Sequence, residues 1–195
     1  MRYLLVAAAL VAALTNPAAA HERTVFDPVD SPGPLDVAAA RLRHGPGRIK
    51  LDLVTYGAWG PETLAGELDF VVFQLDDPDG YGIERCIVVD DSPPYGEGPV
   101  AGEATAYEDC GGPIPFRRPM EATGLTLRPD PNRLQVFFDV SSLWRGGRPA
   151  VLRFDAATSY ENEEHPECEP REPVPPEHFY GTCTDRTGST THRRR

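Results

Sequence analysis

The chain has 195 residues and a formal net charge of -11, from 30 acidic and 19 basic side chains. Its 21 Pro and 18 Gly interrupt the chain too often for a helical bundle or a long coiled coil, and they lack the strict glycine period of collagen. The acidic excess argues against nucleic acid as a partner, because duplex binding needs a surplus of Lys and Arg at phosphates. This length suits one domain with a core of its own, with or without a tail.

Residues 1–20 have the features of a secretory signal peptide. Met1-Arg2 provides a positive start, Tyr3 to Leu14 is apolar, and Ala18-Ala19-Ala20 offers a small-residue cleavage site. We therefore predict a secreted, extracellular protein whose mature chain begins at His21. No later segment reaches the roughly 20 apolar residues of a membrane helix, so we expect no membrane span after cleavage.

Short apolar segments between Gly, Pro and Asp clusters predict an all-β domain over residues 21–160, an antiparallel β-sandwich of immunoglobulin or jelly-roll type. Residues 48–53 and 134–140 alternate apolar and polar side chains, as strands with one wet face do. Leu68 to Leu75 is apolar on both faces, which indicates a central strand. Further strands are predicted at Ile83 to Val89, Val100 to Tyr107, Leu125 to Arg128 and Val151 to Thr158.

Two segments allow more than one structure. Asp36 to Arg43 has a helix-capping Asp and a run of alanines, but Gly45-Pro46-Gly47 leads directly into a clear strand. That turn favours an antiparallel hairpin, so we predict a strand. Trp59 to Ala65 fits either one helical turn or a plain loop.

Residues 161–195 form a Pro/Glu-rich C-terminal extension without an apolar period, which predicts an irregular segment. We expect Thr184 to Arg195 to be a mobile end.

The chain has an even set of cysteines, which in an exported protein indicates disulfide bonds. They are Cys86, Cys110, Cys168 and Cys183. Three pairings are possible, and we favour Cys86 with Cys110 and Cys168 with Cys183 because both loops are then local. The second bridge would tie down the extension. A zinc site is the weaker interpretation, since there is no Cys-x-x-Cys pair and no matching His spacing.

Several short runs, taken in order, resemble a group of uncharacterised secreted proteins of high-GC Gram-positive bacteria. They are DPVDSPGPLDV at residues 27–37, Thr55-Tyr56 followed by Trp59, LDDPDG at 75–80 before Cys86, LRPD at 127–130, and Cys183-Thr184-Asp185. The first run is the most specific. The resemblance covers most of the mature chain and implies a secreted β-sandwich, but no activity is attached to the group.

The acidic turn containing Asp76, Asp77 and Asp79 is the sharpest local signal for a metal, because calcium takes several oxygen ligands from a tight loop. It fails the EF-hand pattern, which would have Leu75 at position one and Cys86 at position twelve. A calcium site in a sandwich loop stays open beside a solvated turn without metal. We interpret a second acidic group, Asp27, Asp30 and Asp36, as turn and cap residues.

Four aromatic residues in or beside predicted loops are candidates for stacking on sugar rings, namely Trp59, Tyr81, Tyr95 and Trp144. A Trp at a strand end also commonly closes the rim of a sandwich core, so this interpretation depends on exposure.

No serine lies in a Gly-x-Ser-x-Gly elbow and no Gly-rich phosphate loop is present, so we assign no catalytic residue. We expect a non-catalytic binding or surface-interaction module for an extracellular ligand, such as a polysaccharide or a protein. Two alternatives stay open: a secreted hydrolase that uses paired carboxylates, and a calcium-binding module.

Overall fold

The computed structural model describes residues 21–45, 47–64, 69–76, 85–90, 103–108, 119–144, 151–161 and 182–193. Within these ranges nearly all regular structure is antiparallel β-strand, as the alternating pattern predicts. The strands are β1 His21–Phe26, β2 Val37–Gly45, β3 Arg48–Thr55, β4 Phe70–Asp76, β5 Arg85–Asp90, β6 Glu103–Tyr107, β7 Pro119–Asp130, β8 Arg133–Asp139, β9 Val151–Glu161, β10 Thr182–Arg186 and β11 Thr190–Arg193. A 3-10 turn, Pro61–Leu64, and a short helix α1, Val140–Leu143, complete the described elements.

The described strands form one continuous sheet in the order β1-β2-β3-β8-β7-β6-β5-β4-β9-β10. Strand β9 is long enough to hold two partners along one edge: β11 pairs with Val151 to Phe154, and β10 pairs with Ala157 to Glu161. Its other edge is occupied by β4, which makes β4 and β9 interior strands of the sheet.

The sheet curls into a half-barrel, because contacts join strands near its two ends. The backbone N–H of Val37, at the start of β2, donates to the carboxylate of Asp185 on β10 at 2.5 Å. The hydroxyl of Thr158 on β9 donates to the carbonyl of Leu35 at 2.8 Å. The segment that leads into β2 therefore lies against the last strands of the sheet.

The main core lies on the inner face of the curled sheet. On β3 and β8 the alternate residues point inward and meet across the strands, as with Leu51 beside Val136 and Leu53 beside Leu134. The rings of Phe73 on β4 and Phe154 on β9 stack with centroids 6.3 Å apart. This packing is what the period-two pattern of these strands predicts.

A second, smaller cluster lies on the opposite face of β4, β5 and β6. It contains Val72, Cys86, Val88 and Tyr107, all buried. Strand β4 therefore buries side chains on both faces, which confirms the prediction of a central strand made from its unbroken apolar run.

The two ambiguous segments are decided by tertiary pairing. Strand β2 confirms the hairpin preferred for Asp36 to Arg43, since Leu42 pairs with Leu51 and Ala40 with Leu53. Residues 61–64 form the helical turn allowed for Trp59 to Ala65.

The prediction of a mobile end from Thr184 was wrong. Strands β10 and β11 pair with β9, and Cys183, Asp185 and Thr187 are buried. The edge of β9 would otherwise leave backbone groups unpaired, and Thr-rich segments suit a strand that covers such an edge. Sequence composition alone does not show that this edge is available.

Candidate metal centre

Three carboxylates from segments near the two ends of the described chain meet where the two ends of the curled sheet approach each other. Asp27 and Asp30 follow β1, and Asp185 lies in β10. One ligand oxygen from each of the three lies within 4.8 Å of the others. We refer to Asp27, Asp30 and Asp185 as the acidic centre.

Asp185 is held in the centre by its strand and by one backbone bond. It pairs with Thr158 across β9 and is only 7% exposed, so its position is set by the sheet. One of its oxygens, Oδ2, accepts the hydrogen bond from the Val37 N–H. The Asp185 carboxyl also accepts a hydrogen bond from the backbone N–H of Arg186 and shares a hydrogen bond with the carboxyl of Asp27.

Asp27 is held by backbone contacts on both sides of its side chain. Its N–H donates to the carbonyl of Ala38 at 3.1 Å, and its carbonyl accepts a hydrogen bond from the Tyr56 hydroxyl at 2.8 Å. Its carboxylate oxygen Oδ2 is buried and has no hydrogen-bond partner. A buried carboxylate oxygen without a donor is costly, and a bound cation would satisfy it.

The loop between the acidic centre and β2 is fixed by Gly33 and Asp36. Gly33 has a φ of 101°, in the left-handed region, and a Cβ at this position would overlap the hydroxyl of Tyr160. The buried carboxylate of Asp36 accepts a hydrogen bond from the Ser31 N–H at 3.4 Å. Asp36 therefore acts as the turn residue that the sequence predicts, and it lies beside the centre.

The electrostatics of the acidic centre disfavour three ionised carboxylates. Burial, together with the charges of Asp27 and Asp30, raises the pKa of Asp185 to about 6, against the lowering effect of hydrogen bonds from the backbone N–H groups of Val37 and Arg186. Burial also raises the pKa of Asp27, followed by the charges of Asp30 and Asp36. Among the described residues, no Lys or Arg side chain is one of the main causes of either shift.

The donor set suits a hard divalent cation. Calcium binds six to eight oxygens at about 2.3–2.6 Å, so two oxygens on opposite sides of one ion are about 5 Å apart. The spacing within the acidic centre falls inside that limit. Asp27, Asp30 and Asp185 are therefore the residues that could hold calcium, with carbonyls or water supplying the remaining ligands.

The metal site predicted at the other acidic turn receives no such support. Asp76 lies at the end of β4 and pairs with the guanidinium of Arg153 at 3.7 Å, so a protein cation already faces its charge. Asp77 and Asp79 lie outside the described residues.

The two aromatic candidates that the structure describes, Trp59 and Trp144, lie in the core and not on a surface. Trp59 is 5% exposed and Trp144 is 7% exposed, and both pack in the main core. Buried indole rings present no face to a sugar, so the stacking interpretation finds no support at these two residues. Tyr81 and Tyr95 lie outside the described residues.

The sheet topology limits the possible cysteine pairings. Cys86 lies on β5 and Cys183 on β10, with β4 and β9 between them. Three interstrand steps separate the two positions by about 14 Å, whereas disulfide Cα atoms lie within about 7 Å. A bond between Cys86 and Cys183 is therefore excluded, while their possible partners Cys110 and Cys168 lie outside the described residues.

The sequence does not predict a metal site at the acidic centre. It predicts Asp27 and Asp30 as turn residues, and Asp185 stands out only as part of the Cys183-Thr184-Asp185 run that carries the resemblance. The signal in the sequence was two short acidic motifs at opposite ends of the domain. Nothing in their spacing indicates that β10 lies beside the loop after β1.

Comparisons with known proteins add no relative, because no family model, curated protein or solved structure matches this chain. Within the described residues, no helix combines the length and the apolar character needed to cross a membrane.

Proposed function

We propose that this chain is a secreted, non-catalytic β module that binds one calcium-type cation through Asp27, Asp30 and Asp185. The observation that carries the proposal is the convergence of three carboxylates within 4.8 Å, at a place where two of them are buried or partly buried. The uncompensated charge and the unpartnered Oδ2 of Asp27 support the same conclusion.

The cation would hold the two ends of the curled sheet together. Asp27 and Asp30 belong to the loop after β1, while Asp185 belongs to β10, so one ion would link segments from the two ends of the sheet. The Val37–Asp185 and Thr158–Leu35 hydrogen bonds lie at the same closure. A ligand that binds only this folded arrangement stabilises it by mass action.

Export and disulfide bonding belong to the same proposal. The predicted signal peptide would deliver the chain to an oxidising compartment, where the cysteines can pair. Excluding the Cys86–Cys183 bond leaves two pairings, and we retain Cys86 with Cys110 and Cys168 with Cys183 because those loops are local. A sandwich-like packing is supported by the way the sheet folds back on itself around the main core.

The alternative of a hydrolase with paired carboxylates is less well supported. Asp27 and Asp185 do approach each other, and a raised pKa is common in acid–base pairs. However, Oδ2 of Asp185 is committed to the Val37 N–H and its side chain is almost fully buried, so substrate access is poor. The same geometry favours a structural cation over a reacting dyad.

Calorimetry and thermal unfolding of the full mature chain, stripped with EDTA, test the proposal. We expect calcium to raise the Tm by about 5–10 °C at a hundredfold excess over its Kd, corresponding to about 2.7 kcal/mol. Asp30→Asn should abolish most of this shift without unfolding the protein, because Asp30 is exposed. Asp76→Asn is the matched control and should respond like the wild type.

The absence of calcium binding and of a Tm shift at millimolar calcium would refute the proposal. So would a shift that survives Asp30→Asn and disappears in Asp76→Asn, since the ion would then bind at the other acidic turn.

A further inference from the structure

The peptide bond between Asp27 and Pro28 joins the end of β1 to the loop that follows it. A proline nitrogen is more basic than an ordinary amide nitrogen, so it leaves more readily when its peptide bond is attacked. An Asp carboxylate can attack the carbonyl carbon of its own residue, because the reaction closes a five-membered ring. An Asp–Pro bond therefore combines a nucleophile with a good leaving group, and the sequence has such bonds after Asp27, Asp77 and Asp130.

The carbonyl group of Asp27 faces a hydrogen-bond donor that the fold holds in place. The Tyr56 hydroxyl donates to the Asp27 carbonyl oxygen at 2.8 Å. The Tyr56 N–H donates to the Asp36 carbonyl at 2.9 Å, and the Asp27 N–H donates to the Ala38 carbonyl at 3.1 Å. Attack on the Asp27 carbonyl carbon would place negative charge on its oxygen, so the Tyr56 hydroxyl has the position of an oxyanion donor.

The side chain of Asp27 is oriented and poorly solvated. Its oxygen Oδ2 is buried and accepts no hydrogen bond, so it lacks the hydration that weakens a carboxylate as a nucleophile. The hydrogen bond that the carboxyl shares with Asp185 restricts its rotation. Pro28 is exposed, so solvent reaches the nitrogen that would leave.

We propose that the folded chain cleaves its own peptide bond between Asp27 and Pro28. A carboxylate oxygen of Asp27 forms a bond to the Asp27 carbonyl carbon, and the bond from that carbon to the Pro28 nitrogen breaks. The nitrogen takes a proton from solvent and becomes the amino terminus of the larger fragment. Water then opens the cyclic anhydride left on Asp27, which gives a side-chain carboxyl and a terminal carboxyl. The sum is the hydrolysis of one peptide bond, with water as the only co-reactant.

This activity goes beyond the proposed cation binding and needs no entry of a substrate. The nucleophile and the bond that breaks belong to the same residue, so the burial that opposes a hydrolase of other molecules does not oppose it. Cleavage would leave β1 attached by noncovalent contacts, chiefly its pairing with β2 from His21–His44 to Phe26–Ala39. The reaction would thus turn this edge strand into a separate peptide.

Mass spectrometry of the full mature chain, incubated at pH 5.5 and 37 °C, tests the proposal. The incubation is run in EDTA, because a bound cation would occupy the carboxylate, and the outcome is then independent of the proposed calcium site. We expect a peptide that ends at Asp27 and a chain that begins at Pro28. Cleavage there should be at least about tenfold faster than at the bond between Asp130 and Pro131, where Asp130 is exposed.

Two variants and an unfolded control separate this reaction from the general lability of Asp–Pro bonds. Tyr56→Phe should slow cleavage at least about tenfold, because it removes the oxyanion donor and keeps the ring. Tyr107→Phe is the matched control on β6 and should cleave like the wild type. Pro28→Ala keeps the nucleophile but has a poorer leaving group, so it should also cleave more slowly. In denaturing urea the preference for the Asp27 bond over the Asp130 bond should disappear.

An intact bond after Asp27 would overturn the proposal, and so would equal cleavage after Asp27 and Asp130 in the folded protein. A rate that Tyr56→Phe leaves unchanged would also overturn it, provided that thermal unfolding shows the variant to be folded, because the fold would then contribute no oxyanion donor.

Discussion

Replacing Asp185 by Asn should stabilise the cation-free protein at neutral pH. The amide oxygen of Asn can still accept the Val37 N–H bond that Asp185 accepts at 2.5 Å, so the geometry of β10 is retained. What the substitution removes is a negative charge in a buried site that already faces the carboxylates of Asp27 and Asp30.

The magnitude follows from the pKa of Asp185, raised from an ordinary 3.8 to about 6. A raised carboxyl pKa means that the folded state holds its proton more tightly than the unfolded state. The stabilisation of the folded state by this tighter proton binding is fully present below about pH 4 and is lost as the pH rises through about 6. The difference of about two pKa units corresponds to about 3 kcal/mol at neutral pH.

Urea unfolding in EDTA at pH 4.5, 6.0 and 7.5 measures this effect. The wild type should lose stability as the pH rises, and the raised pKa of Asp27 acts in the same direction. The exposed Glu22, whose pKa is lowered mainly by its hydrogen bond to Arg43, acts in the opposite direction but only weakly, because solvent screens it. In Asp185→Asn the free energy of unfolding should depend less on pH. At pH 7.5 it should exceed that of the wild type by up to about 3 kcal/mol.

In the presence of calcium, the wild type should become more stable than Asp185→Asn at pH 7.5. The proposed cation would bind the deprotonated carboxylates, so it should stabilise the wild type most at pH 7.5, with an affinity that falls below about pH 6, and leave Asp185→Asn almost unchanged. An Asp185→Asn protein that is less stable than the wild type in EDTA at pH 7.5 would refute the electrostatic reasoning.

Three further substitutions test how the fold is held together. Gly33→Ala should lower the Tm strongly, because it combines a positive φ with overlap on Tyr160, and an unchanged thermal melt would contradict this. Arg133→Ala should cost about 1–3 kcal/mol in urea unfolding, since it removes a two-bond pair, at 2.8 and 2.6 Å, from the buried Asp52, which keeps contacts with Gln135 and Lys50; an unchanged stability would show that those two contacts are enough. Phe154→Ala should cost about 3–5 kcal/mol by leaving a cavity in the core, measured by the same method.

Local patterns predict the strands well where one face is buried. Alternation around Leu51 and Val136 indicates both the strand and its inward face, because side chains of a strand point to opposite sides in turn. The double-sided burial of β4 follows from its unbroken apolar run in the same way. These properties depend on near neighbours in the chain.

The burial of Trp59 and Trp144 could not be predicted in this way. A Trp beside a loop fits a sugar platform and a core plug equally well, and the choice depends on what packs against it. The structure packs both indoles into the main core.

The acidic centre shows most clearly what the sequence could not decide. By itself the sequence determined the chemistry, since Asp27, Asp30 and Asp185 supply oxygen ligands wherever they lie. Only the tertiary structure decided that β10 pairs with β9 and that the curled sheet brings Asp185 to the loop after β1. Alternation specifies which face of a strand is buried, but strand partners are chosen by packing and by backbone hydrogen bonds between segments far apart in the chain.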